Sequence, residues 1–372
     1  ATMRVSLHGL GNVNGKKRLR NILLGVQFFI CWLFVSMTAA LYLQSEKTSS
    51  AMFDTLTRQE KEEIISVPLN YKLLTPENRQ VIINNIRQHA GIKDLLFLNS
   101  RLFTGLTDAI YDASDEKKVY YVRPIGTTAN FAQFMNIKTE GQLPRKADEI
   151  LISRNLVSQL GKSSIGESLN YGRKSFTITG IIEDYTDYVY ADVHGINDLG
   201  TVLFLIDEAK EGYCGYVKCY PGKVEEVQAW IKQKLQEVLP ASIEIKTSTL
   251  QKDIEESQAL ENKLKGIILC FSIVCLIITL LGVYSAITLD TERRQKEVAI
   301  RKVNGAGLKE IIALFARLYI WLLGISAIFA FPIVFAILQM WKQMYLVFFS
   351  DGILYWGGIL LGVTGITALT VI

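Results

Sequence analysis

Residues 266–289 read GIILCFSIVCLIITLLGVYSAITL, a run without a single Asp, Glu, Lys or Arg. About 20 apolar residues in a helix cross the roughly 30 Å hydrocarbon core of a bilayer. A buried helix of a soluble protein seldom stays apolar all round for so long. The stretch is therefore read as a transmembrane helix. Outward from it, residues 22–43 (ILLGVQFFICWLFVSMTAALYL) and 353–372 are also free of charge, and 311–338 carry only Arg317. These four runs account for a composition that is 49% apolar and 20% charged, and for a mean hydropathy of +0.23. A soluble enzyme is excluded for the chain as a whole.

The charges between the runs orient them. The first 21 residues hold five basic side chains (Arg4, Lys16, Lys17, Arg18, Arg20) and no acid, and the 290–310 loop holds six basic against four acidic. Residues 44–263 hold 26 basic and 31 acidic. Short basic flanks stay in the cytoplasm. The reading is an α-helical membrane protein with four transmembrane helices, its N-terminus inside, and a large α+β domain outside between spans 1 and 2. The segments are a basic N-terminal stretch (1–21), span 1 (22–43), the outer domain (44–248), a stalk helix (249–265), span 2 (266–289), a cytoplasmic helix and turn (290–310), span 3 (311–338), a short outer loop (339–352) and span 4 (353–372). Ala1 opens the chain and Ile372 closes it inside an apolar run, so a piece of a longer protein is expected. The first span is too long for a signal peptide, and no small-residue cleavage site follows it.

Within the outer block, short β-branched and aromatic runs at 63–69, 95–98, 119–125, 149–153, 176–183 and 201–206 predict strands. Helical apolar spacing predicts helices over 77–90 and 224–239, the second with Val224, Val227, Ile231, Leu235 and Val238 on one face. Residues 216–220, the second helix and 242–246 predict a β-α-β unit. Ser248 to Gln251 has capping-box spacing, and neither Gly nor Pro interrupts 249–265. One helix is expected from the outer domain straight into span 2, stiff enough to relay motion. Cys214 and Cys219 leave a disulfide open. Pro332 is placed to kink span 3, Arg317 to snorkel to the cytoplasmic surface, and the glycines of span 4 to permit tight helix packing.

The run LLGVYSAITLDTERRQKEVAIRKVNGAGLKEIIALFARLYI (280–320) closely resembles the C-terminal permease segment of the FtsX/MacB-like ABC transporter permeases. Their pattern is a Gly-bearing span end, a basic helix, a Gly-Ala turn and a further span. It falls here on Arg294, Lys296, Glu297, Val298, Ile300, Arg301, Lys302, Gly305 and Ala306. Ala299 and Asn304 stand where Gly and Leu are frequent. Residues 141–185 (GQLPRKADEILISRNLVSQLG to IGESLNYGRKSFTITGIIEDY) are similar to the family's MacB-like periplasmic core domain. GKKRLRNILLGVQFFICWLF (15–34) is similar to the start of the second half of long, eight-span permeases of Bacteroidetes-type bacteria.

The resemblance implies a multi-pass permease of the bacterial inner membrane, with a periplasmic domain and a cytoplasmic ATPase dimer docked on the 294–306 segment. It implies mechanotransmission: ATP-driven motion is relayed to the periplasmic domain, exporting or extracting a peptide, lipoprotein, lipid or drug. Further partners would be the other permease half or a second copy, membrane lipids, and a periplasmic or outer-membrane protein. The alternatives are a regulator of cell-wall hydrolases and an ATPase-independent receptor or scaffold. The residues agree with a docking helix, since Glu297 among five cations weakens lipid binding but is placed to pair with Arg301 at i+4 or with an Arg of a partner.

The chain is not expected to be an enzyme or to hold a cofactor; ATP and magnesium would be held by the partner. Gly9–Lys16 fails as a phosphate loop, with Leu10 where Gly is required and Lys17 where Ser or Thr is required. Glu183, Asp184, Asp187, Asp192 and His194 match no ion-loop spacing and are read as a solvated loop. No nucleic-acid partner is implied by the net charge of +4, which averages over two compartments.

Overall fold

The computed structural model describes residues 2–70, 74–103, 106–161, 164–190, 199–305 and 307–371. In chain order the elements begin with α1 (Thr2–Ala51), α2 (Arg58–Glu62), β1 (Ile64–Pro68), α3 (Pro76–Arg87), β2 (Ile92–Leu98) and β3 (Asp108–Asp112). Next come β4 (Asp115–Thr127), α4 (Phe131–Phe134), β5 (Thr139–Gly141), β6 (Glu149–Ser153), α5 (Arg154–Leu160), β7 (Ser168–Tyr171) and β8 (Lys174–Ile182). Then follow β9 (Gly200–Leu205), α6 (Glu208–Glu211), β10 (Cys214–Cys219), α7 (Val224–Val238), β11 (Ser248–Thr249) and α8 (Leu250–Ser257). The last are α9 (Ala259–Arg293), α10 (Gln295–Val303), α11 (Leu308–Lys342) and α12 (Ile353–Val371). They form two compact units: residues 1–47, 260–343 and 348–372, and residues 48–259 with 344–347.

The first unit is helical. Among the described residues three helices are long and apolar enough to cross a membrane: Arg18–Ala51, Ala259–Arg293 and Ala316–Lys342. The stretch expected as a fourth span is an apolar helix too, but a shorter one. Helical spacing makes the core of this unit. On α11, Tyr319, Leu323, Ala327, Ala330, Val334 and Leu338 recur every three or four positions and are buried, with Phe28 and Trp32 of α1 and Tyr355, Ile359 and Val363 of α12 in the same cluster. Two polar groups within it find backbone partners, which compensates for their burial in a low-dielectric interior, while the Tyr319 hydroxyl is buried without one. Trp32 Nε1 donates to the Leu323 carbonyl at 3.3 Å, and the Tyr355 hydroxyl donates to the Ser36 carbonyl at 2.8 Å. The other faces expose Phe271, Ile278 and Leu281, which suits a lipid surround. α11 runs on through Pro332.

The second unit combines a sheet and a closed ring. The order β11-β1-β10-β2 continues into β4-β3-β7-β8-β6-β9, and β9 returns to pair with β4 in parallel, from Val122↔Gly200 to Thr127↔Leu205. The ring is filled by Ile110, Val122, Ile150, Ile152, Leu169, Phe176, Ile178 and Val202, as in a small barrel. Alternation along β1, β2 and β10 sends Ile65, Val67, Phe97 and Val217 to one face, where Ile82, Ile83 and Ile86 of α3 and Val227, Ile231 and Leu235 of α7 cover them.

That alternation also decides the cysteines. Cys214 and Cys219 lie five positions apart on β10, so they enter clusters on opposite faces. Both are free thiols.

Several sequence expectations shift. The β-α-β unit exists, with β10 and β11 both antiparallel to β1 between them. Its last strand is Ser248–Thr249 and not 242–246, because Ile245 turns into the core against α7 before the chain reaches the β1 ladder. The helix cap moves by one residue: Thr249 accepts from the Lys252 amide at 3.3 Å, while the Ser248 hydroxyl donates to Asp253. Where one unbroken helix is expected from 249 to 289, the structure has α8 and α9, parted at Gln258, whose amide turns back to the carbonyls of Glu255 and Glu256.

Candidate functional site

The segment between α9 and α11 is built from a broken helix and a glycine turn. α9 ends at Arg293, and Arg294 leaves the helical path before α10 begins at Gln295. α10 closes when the amide of Asn304 bonds to the Ile300 carbonyl at 3.0 Å and that of Gly305 to the Lys302 carbonyl at 3.1 Å. Gly305 has φ +86°, a left-handed conformation that glycine adopts without a Cβ penalty. Gly307 then stands at the start of α11.

No residue of α10 is buried. Two stripes run along it, since positions three and four apart share a face. In one, Glu297 accepts from Arg301 at 3.0 Å and faces Arg294 at 3.8 Å. In the other, Ile300 is 63% and Val303 88% exposed, with exposed Lys296 one turn away. Two β-branched side chains thus face solvent at the end of a charged helix.

The base of the segment is anchored. Asp290, 7% exposed, accepts from Arg20 Nη2 through both carboxylate oxygens, at 2.8 and 2.9 Å. α1 is thereby tied, at Arg20, to the end of α9 that leads into α10.

The structure thus brings together Arg294, Lys296, Glu297, Val298, Ile300, Arg301, Lys302 and Gly305 in one exposed helix and its turn. Ala306 lies outside the described residues. Sequence reasoning missed the Arg20–Asp290 pair, because both residues entered only a charge tally. The available signal was an acid at the end of a long apolar run.

In the second unit, the acidic group after β8 divides. Glu183 pairs with Arg154 at 3.1 Å, and Asp184 accepts from the Asn155 amide at 2.9 Å. Asp187 is not solvated as expected. It is buried against Arg123, and burial pushes its carboxyl up from the ordinary range while Arg123 opposes the shift. Asp192 and His194 lie outside the described residues. Among the described residues, no three His, Cys, Asp or Glu side chains are grouped to hold a metal ion.

Residues 269–372 match the family model described as FtsX-like permease C-terminal. This part of the chain is similar to FtsX-like permease C-terminal domains. The FtsX-like region begins inside α9 and includes α10, the glycine turn, α11 and α12. With its long apolar helices it makes the chain a membrane protein, with a folded domain inserted between the first two of them. Similar solved structures include a domain of a permease protein from Porphyromonas gingivalis, 16% identical, covering 51% of this chain and 90% of that one with a TM-score of 0.36. The periplasmic region of MacB from Actinobacillus actinomycetemcomitans is 8% identical, covering 56% and 98% with a TM-score of 0.39. The extracellular domain of the noncanonic ABC-type transporter YknZ from Gram-positive bacteria is 10% identical, covering 50% and 98% with a TM-score of 0.35. No curated protein matches the chain.

Proposed function

We propose that this chain is the membrane-spanning subunit of an ABC transporter that relays ATP-driven motion to its inserted domain. α12 then serves as the fourth span, the N-terminus and α10 lie in the cytoplasm, the inserted domain lies in the periplasm, and the membrane is the bacterial inner membrane. The observation that carries the reading is the exposure of Ile300 and Val303 on a helix that directly follows the end of α9 held by the Arg20–Asp290 pair. Lipid headgroups reward the basic residues of such a helix, but they do not explain an acid spent on Arg294 and Arg301 or a β-branched tip. A protein groove accounts for all three features.

In this reading ATP and magnesium belong to a partner ATPase dimer, and a second permease half or a second copy completes the membrane part. α9 acts as the relay. Its 35 residues make a rod of about 52 Å, longer than the roughly 30 Å hydrocarbon core, so force applied at α10 travels beyond the bilayer. Cargo is recognised at the inserted domain: a peptide, lipoprotein, lipid or drug.

The test is co-purification. An ATPase subunit is expected to come down with the wild-type chain, and Ile300→Asp with Val303→Asp should release it while leaving membrane insertion intact. Retention of the ATPase by the double variant would sink the docking role. For the relay, four glycines inserted after Asn262 should preserve ATPase binding and abolish the physiological output in a complemented deletion strain. Full output from that insertion would remove the mechanical role.

A further inference from the structure

Within the helical unit a groove of about 530 Å³ lies between α1, α9 and α12, a volume in the range of ligand sites. Ala39 and Tyr42 of α1, Ser272 and Leu276 of α9, and Gly358 and Gly362 of α12 line it. A Cβ built on either glycine meets no atom within 4 Å, so these positions leave the space open. Along α12 the lining runs from Leu354 to Ile366, about 18 Å at the helical rise, against about 15 Å for one leaflet of the hydrocarbon core.

One end of the groove carries a cation. Tyr42 lines the wall there, and the Lys265 ammonium sits 5.0 Å from the centre of its ring. Lys265 Nζ also donates to Ser45 Oγ at 3.1 Å. Neither contact is with a carboxylate, so the half-buried ammonium at the mouth is attractive to an anion.

We infer that this groove seats one acyl chain of an anionic phospholipid, with its phosphate at Lys265. Depth matched to one leaflet, an apolar wall and a cation at the interface end are the three features such a lipid requires, and an aromatic ring beside the cation suits the headgroup level. A transmembrane helix of a second copy could use the two glycines, but it would not call for a cation at the mouth. The inference rests on α1, α9 and α12 lying in the bilayer and not on ATPase docking, so it can fail while the docking reading stands.

The experiment uses the full chain reconstituted in phosphatidylcholine vesicles containing chain-labelled phosphatidylglycerol or phosphatidylcholine, read by electron paramagnetic resonance. An immobilised component is expected, with about fivefold preference for the anionic lipid from a single basic residue at the interface. Lys265→Gln should remove the preference and keep the immobilised chain. Gly358→Leu with Gly362→Leu should fill the groove and remove the immobilised component. An immobilised component unchanged by the leucines overturns the site. So does efficient disulfide formation between two copies of Gly362→Cys, which would make a second copy's helix the occupant.

Discussion

Arg20 and Asp290 are 270 positions apart in the chain, yet one guanidinium nitrogen of Arg20 reaches both carboxylate oxygens of Asp290. The side chains are only 19% and 10% exposed. The Nε and Nη1 atoms of Arg20 are buried without a hydrogen-bond partner, so the carboxylate carries most of the compensation for burying that cation. Breaking such a pair from one side leaves an uncompensated charge, at a cost of about 3 kcal/mol. Asp290→Asn is therefore expected to lower the thermal stability of the purified chain clearly. Arg20→Asp with Asp290→Arg should recover part of the loss. Equal stability of the single variant and the wild type in a melting experiment would show the pair to be idle.

Glu297→Lys separates docking from folding. The residue's contacts with Arg294 and Arg301 are exposed and lie within one helix, where such pairs contribute about 0.3–0.5 kcal/mol. The variant should insert and melt like wild type, yet lose the ATPase subunit or the stimulated ATP hydrolysis of the complex. Unchanged ATPase association would favour a lipid-facing helix.

Asp253 gives a pH signature outside the spans. Burial pushes its carboxyl up from the ordinary value of 3.8, while hydrogen bonds from Ser248 and Ser66 and the charge of Arg101 oppose the shift. The folded chain then holds this proton to a higher pH than the unfolded chain does. Stability from this group is full below about pH 4 and is lost as pH rises through the folded value. Asp253→Asn keeps an acceptor for Ser248 and removes the charge. Its melting temperature relative to wild type should rise with pH across that window, and a pH-independent difference would contradict the burial argument.

The β10 thiols should be silent in the folded state. Burial pushes Cys214 to about 11 and Cys219 to about 12, which leaves about one thiolate in a thousand or fewer at pH 8. With Cys31, Cys270 and Cys275 replaced by alanine, iodoacetamide should label neither cysteine until denaturant is added. Non-reducing electrophoresis should show no 214–219 bridge. Rapid labelling of the native chain would mean that β10 is not a central strand.

Much of the inserted unit was legible because its strands are short β-branched runs bounded by turns. The runs read at 149–153 and 201–206 coincide closely with β6 and β9. The two-residue β11, the three-residue β5 and the parallel closure of β4 on β9 were not. Strands that short carry no periodicity, and the closure joins segments far apart in the chain.

By itself the sequence determined where the apolar helices lie, that a polar block of more than 200 residues interrupts them, and which residues make the α10 segment, because hydropathy and the Gly305 turn are properties of consecutive residues. The tertiary structure alone decided that Arg20 meets Asp290, that Asp187 is buried against Arg123, and that the helix before the second long span is parted at Gln258. It also decided that the two β10 thiols face opposite sides. The reason is physical: a charge or a thiol shows its type in the sequence, but its partner, its burial and its desolvation depend on which distant surface folds against it.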